Sequence, residues 1–137
     1  MKNGNTTKLI SIIENNKKNN ILIMGMSGSK FIDAVIIPST LPSEKLGIGI
    51  SDNGEYIYPN WTKELEEKKC SEQTLLIIDG LDKISTTEQE KFYGLLKHKK
   101  INGYNFPENC HIICTSKSKD KSKINEKILG LCIIYID

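Results

Sequence analysis

Residues Leu75 to Ile84 read LLIIDGLDKI, an apolar run that ends in one acid, Asp79, with a second, Asp82, three positions on. Such a run predicts a buried parallel strand that delivers Asp79 at its carboxyl end. Ligands of open α/β sheets bind at that end of the strands. An acid there suits Mg²⁺ beside a nucleotide phosphate, the place of a Walker B aspartate. Asp79 is therefore a candidate catalytic acid and the candidate Mg²⁺ ligand.

A second stretch, Ile21 to Phe31 (ILIMGMSGSKF), has the layout of a strand, a glycine turn, a lysine and a helix. That layout suits phosphate, because the N–H groups of a glycine turn and the start of a helix both face an anion. Gly25, Ser27, Gly28, Ser29 and Lys30 are the candidate nucleotide-binding residues. Measured against GxxxxGK[ST], Gly25 fits the first glycine and Lys30 arrives one residue early. Ser29 stands where the glycine before the lysine is expected. Phe31 replaces the hydroxyl that would hold Mg²⁺. The loop is shortened and lacks that metal ligand; the plain alternative is a glycine turn with a solvated lysine.

The elements that must position these residues follow from periodicity. Helices are expected at Lys8–Glu14, Phe31–Ile37 (stopped by Pro38), Thr62–Lys69, Ser85–Lys100 (capped at STTEQE) and Ile124–Leu129. Strands are expected at Ile21–Met24, Leu75–Asp79, Cys110–Thr115 and Leu131–Ile136. Leu46–Ile50 and Glu55–Tyr58, joined around Asp52-Asn53-Gly54, predict a β-hairpin, with Trp61, Tyr56 and Tyr58 packing this second β layer. Ile101–Asn109 and Ser116–Lys123 are expected loops. The second of these (SKSKDKSK) reads as a solvated connection, with a phosphate- or nucleic-acid-contacting loop as the alternative. The alternation of strand and helix predicts a three-layer α/β/α sandwich with a mainly parallel sheet, one domain over residues 1–137.

The composition narrows the function classes. No run reaches the length of a membrane span, and the N-terminus has no apolar signal core. A formal charge of +2 is too small to indicate nucleic acid by field alone. All nineteen basic residues are lysine, so no planar fork is available for bidentate phosphate or carboxylate recognition. Cys70, Cys110, Cys114 and Cys132 lack paired metal-knuckle spacing and read as reduced thiols of a cytoplasmic protein. His98 and His111 read as structural or solvated.

Three stretches together, Tyr58–Leu65 (YPNWTKEL), Leu75–Ile84 and Phe106–Thr115 (FPENCHIICT), resemble the ATPase core of the AAA+ superfamily. The MoxR-like and dynein-related ATPases and the methylation-dependent restriction GTPases look most similar. Asp79-Gly80-Leu81-Asp82 and Thr115-Ser116-Lys117 are also similar to the DGLD and TSR motifs of NACHT-type NTPases, and that likeness implies Asp82 as a second candidate catalytic acid, substituting for the water-activating one. The resemblance implies a P-loop NTPase-type sheet and sensor-like roles for Thr115, Ser116 and Lys117. It also implies ATP or GTP as nucleotide and Mg²⁺ as metal. The family's water-activating glutamate falls on Gly80, its sensor asparagine on Lys117 or Ser116, and its arginine finger on Gly130. The C-terminal helical lid has no counterpart before residue 137.

An arginine finger alone contributes roughly 10³–10⁵ in rate, and several such losses in one site predict little or no hydrolysis. The expectation is a degenerate AAA+-type domain, a pseudo-ATPase acting through nucleotide, through an AAA+ ring partner or its own copies, or through both. Two alternatives stand beside it: an ATPase or GTPase completed by a partner subunit, and a nucleotide-independent interaction protein or inhibitor that mimics an NTPase subunit.

Overall fold

The structure, a computed structural model, describes residues 11, 19–31, 33–47, 49–68, 74–101 and 104–137. The expected helix at Lys8–Glu14 and Cys70 lie outside the described residues, apart from Ser11, which is helical.

Five strands form a parallel sheet: β1 (Asn20–Met24), β2 (Val35–Pro38), β5 (Thr74–Asp79), β8 (Cys110–Ser116) and β9 (Cys132–Ile136). Their order across the sheet is β2-β5-β8-β1-β9. Burial follows from that order. The inner strands β1 and β8 are buried at every residue, because both of their faces are covered. The edge strand β2 alternates buried and exposed residues. The two short hairpins are β3 (Gly49–Ile50) with β4 (Tyr56–Ile57), and β6 (Lys100–Ile101) with β7 (Tyr104–Asn105). The first was expected; the second falls in the expected loop at Ile101–Asn109. No described helix is long and apolar enough to cross a membrane.

The helices are α1 (Ser43–Leu46), α2 (Asn60–Glu67), α3 (Tyr93–His98) and α4 (Glu126–Leu129). Their buried residues Leu46, Trp61, Leu65, Leu95, Leu96 and Ile128 join one cluster with Leu22, Met24, Ile37, Leu76, Ile78 and Cys114 of the sheet. Among the described residues this is a sheet with one helical layer. A third layer would need residues outside them. The opposite face carries Ile21, Ile23, Ile77 and Ile113, with Met26, Phe31, Ala34 and Tyr135 packed on it.

The expected helix at Phe31–Ile37 is absent. A 3₁₀ turn, Gly28–Lys30, ends at an extended Phe31, and the chain then enters β2. Geometry explains the difference. The connection from β1 to β2 must cross β8 and β5, about 14 Å at the usual strand spacing. It must also return to the start of a parallel strand. Residues 25–34 coiled as a helix would reach only about 15 Å. The described residues among them form no α-helix, and Met26, Phe31 and Ala34 cover the second face. The β-branched run Val35–Ile37 supplies a strand.

Three smaller corrections follow. The expected helix at Ser85–Lys100 is a 3₁₀ turn, Glu88–Phe92, and only then α3. The tight turn points Gln89 into the core, where its amide bonds backbone groups. Ser85 does cap the turn, accepting from the Glu88 N–H at 3.2 Å. Leu46 ends α1 rather than starting a strand. Trp61 is buried in α2, donating to Leu46 O at 2.9 Å, whereas Tyr56 and Tyr58 are exposed and only approach each other.

Candidate functional site

Strands β1 and β8 are neighbours, yet their onward connections diverge. The chain leaving β1 travels to β2 at one edge of the sheet, and the chain leaving β8 travels to β9 at the other. Between two such strands lies the crevice where open α/β sheets place ligands. Asp79 ends β5, Thr115 and Ser116 end β8, and the glycine turn follows β1, so the sequence-predicted residues do gather at this rim.

What they do there is bond one another. The Gly28 N–H donates to Asp79 Oδ1 at 2.7 Å. The Thr115 hydroxyl donates to the same oxygen at 2.9 Å and accepts from the Gly80 N–H at 3.2 Å. Gly28 has to be glycine. A Cβ there would lie 2.8 Å from Asp79 Oδ1 and 2.8 Å from Ile77 Cγ2. Ser39 closes the other side of the strand end: its N–H donates to Asp79 O at 3.0 Å and its hydroxyl to Gly80 O at 2.6 Å.

Four more N–H groups of the loop are also engaged. The Gly25 and Met26 N–H groups both donate to Ser116 O, at 2.7 and 3.0 Å. Gly25 has φ of 93°, and this left-handed turn brings its N–H back to the strand. The Ser29 N–H donates to Ser27 Oγ at 3.3 Å, and the Phe31 N–H to Gly28 O at 3.1 Å. Lys30 is placed by its backbone in the same turn.

A phosphate cradle needs several loop N–H groups converging on empty space. Here the N–H groups of residues 25, 26, 28, 29 and 31 point at partners within the chain. Among the described residues the helical piece that follows β1 is a three-residue turn, too short to supply the field of a helix end. Asp79 Oδ1 is already taken by Gly28 and Thr115, and Phe31 offers no oxygen to an Mg²⁺ ion. In this arrangement the residues do not fit a nucleotide with its metal.

Asp82 stands apart from Asp79 and holds a different loop. Its two carboxylate oxygens accept from the Lys117 N–H at 3.2 Å and the Ser118 N–H at 3.0 Å. Lys117 and Ser116 thus meet the rim through Asp82 and through a Ser116 hydroxyl bond to Ser118 O at 2.6 Å. Two residues that matter here were not singled out from the sequence. Ser39 is one. Gln89 is the other: its side chain donates to Leu81 O at 3.0 Å and Lys123 O at 2.8 Å, and accepts from the Asn125 N–H at 2.8 Å. Its signal was a polar residue on the apolar side of an amphipathic segment.

Cys110 and Cys114 are buried in the core. Burial pushes Cys110 up to about 12, and a hydrogen bond with Cys132, together with burial, raises Cys114 well above the usual range. No group of three or more metal-binding side chains occurs among the described residues. The sequence matches no model of a known protein family and no curated protein.

Proposed function

We propose that this chain is a degenerate AAA+-like P-loop domain, without hydrolysis of its own, that acts by binding a protein partner. The Gly28–Asp79 hydrogen bond carries the reading. The acid that would face Mg²⁺ holds the N–H that would face phosphate, so the two halves of a phosphate site neutralise each other. The parallel sheet with Asp79 and the glycine turn at its switch point supports descent from a nucleotide-binding scaffold. Gly80 in place of the water-activating acid, Phe31 in place of the Mg²⁺ hydroxyl and a chain without arginine support the loss of chemistry.

The test is direct. Purified protein should turn over neither ATP nor GTP above background, and Asp79→Ala should leave that unchanged. Millimolar nucleotide with Mg²⁺ should not raise the melting temperature, since a ligand that binds only the native state must stabilise it. A clear upward shift would restore the nucleotide-binding form of this reading, with an AAA+ partner or another copy completing the site. Turnover lost in Asp79→Ala would reject the reading outright.

A further inference from the structure

The loop after β8, Ser116–Lys123, carries lysine at every second position: Lys117, Lys119, Lys121 and Lys123, all exposed. Lys83, on the turn after β5, is exposed beside it. Lys83, Lys117, Lys119 and Lys121 form no ion pair among the described residues, and Lys123 lies within electrostatic reach of Asp120. The lysine stems cross the glycine turns of the rim. A Cβ on Gly25 would meet Lys119 Cε at 2.8 Å, and one on Gly80 would meet Lys83 Cδ at 2.9 Å.

The acids of the same rim are turned to internal work. Asp79 holds Gly28 and Thr115, and Asp82 holds the N–H groups of Lys117 and Ser118. Asp120 accepts from the N–H and hydroxyl of Ser122 at 2.9 and 2.7 Å. Asp137, next to Gly25, adds one exposed acid. At its far end the loop is pinned by Gln89 to Lys123 O. The result is a row of cations on a backbone fixed at several points, within a chain whose overall charge is only +2.

We propose that this lysine rim is a docking surface for an acidic segment of a partner protein, and that Asp82 preorganises it. The charge row sets the sign of the partner, and the fixed backbone lowers the ordering cost of binding. The exposed tyrosines that would stack on bases, Tyr56 and Tyr58, belong to the β3–β4 hairpin and not to this loop. The proposal rests on the partner-binding part of the reading above and not on the lost hydrolysis.

The experiment uses the full chain and two labelled probes, a short polyglutamate peptide and a single-stranded oligothymidylate, titrated by fluorescence anisotropy at low and physiological salt. The peptide should bind, more weakly as salt rises. Lys117→Glu, Lys119→Glu and Lys121→Glu together should weaken it roughly tenfold or more. Lys45→Glu, on α1, serves as the charge control and should stay within roughly twofold.

Asp82→Asn is decisive. It makes the chain more positive, so a surface working by field alone would bind the peptide more tightly. A surface that needs the Asp82 tether should bind it roughly threefold more weakly. Tighter binding by Asp82→Asn overturns the preorganisation. No peptide binding, or binding indifferent to the triple reversal, overturns the surface. Tighter binding of the oligonucleotide than of the peptide overturns the partner class. The nucleotide turnover and melting measurements are unaffected by any of these results, so the two readings fail separately.

Discussion

The loops that follow β1 and β8 leave the same rim of the sheet, and each is held by a carboxylate that accepts backbone N–H groups. Asp79 holds Gly28, and Asp82 holds Lys117 and Ser118. The outcomes are opposite. The first loop is drawn inward until a glycine touches the carboxylate, and five of its N–H groups are taken up within the chain. The second is braced from beneath, and its lysines face water. The same bond therefore closes a site in one place and presents a surface in the other. The side chains above each acid decide which: a half-buried acid under a glycine seals, and a half-buried acid under long cationic side chains displays.

The contrast can be broken by measurement. Asp79→Ala should be the most damaging, lowering stability by about 3 kcal/mol in urea unfolding, because it leaves the Gly28 N–H and the Thr115 hydroxyl without their acceptor. Gly28→Ala should cost about 2 kcal/mol, since the added methyl meets Asp79 and Ile77 with no flexible neighbour to give way. Asp82→Ala should cost only about 1 kcal/mol, because water can reach the two N–H groups it releases. If Asp79 and Asp82 prove equal, the difference between a seal and a brace disappears.

The smallest effect concerns acid. Hydrogen bonds from the Ser122 hydroxyl and N–H hold the Asp120 carboxyl below the usual carboxylate range. A lowered value in the folded chain means that its contribution is present above the ordinary pKa and is lost as pH falls through the lower, folded one. Amide exchange at Ser122 should therefore stay slow through the ordinary carboxylate range and quicken only below it. Exchange that quickens in step with solvated carboxylates would show that Asp120 does not cap the loop.

Much of the framework was legible in the sequence because it depends on local pattern. The runs at Ile21–Met24, Leu75–Asp79 and Cys110–Thr115 are buried along most of their length and read as inner parallel strands, which they are. The hairpin around Asp52-Asn53-Gly54 follows from turn chemistry. What was not legible depends on distance across the sheet. Phe31–Ile37 has enough apolar residues for either helix or strand, and only the span from β1 to the far edge selects the extended form. Gathering Asp79, Thr115 and the glycine turn at one rim was readable from their order along the chain. That they would bond each other and leave no cradle was not. The closure depends on Gly28 coming within hydrogen-bond reach of a carboxylate fifty-one positions away.

The strand order has one more consequence, for how the molecule is made. β1 is flanked only by β8 and β9, and Asp137 donates its N–H back to Met24 O at 2.7 Å. The strand translated first among the five thus waits for the two translated last. Until residues 110–136 have emerged from the ribosome, Ile21–Met24 is an apolar ribbon with both edges bare, the kind of segment that chaperones shield and that pairs with the wrong neighbour. Ribosome-stalled chains lacking β9 should be protease-sensitive through β1 as well.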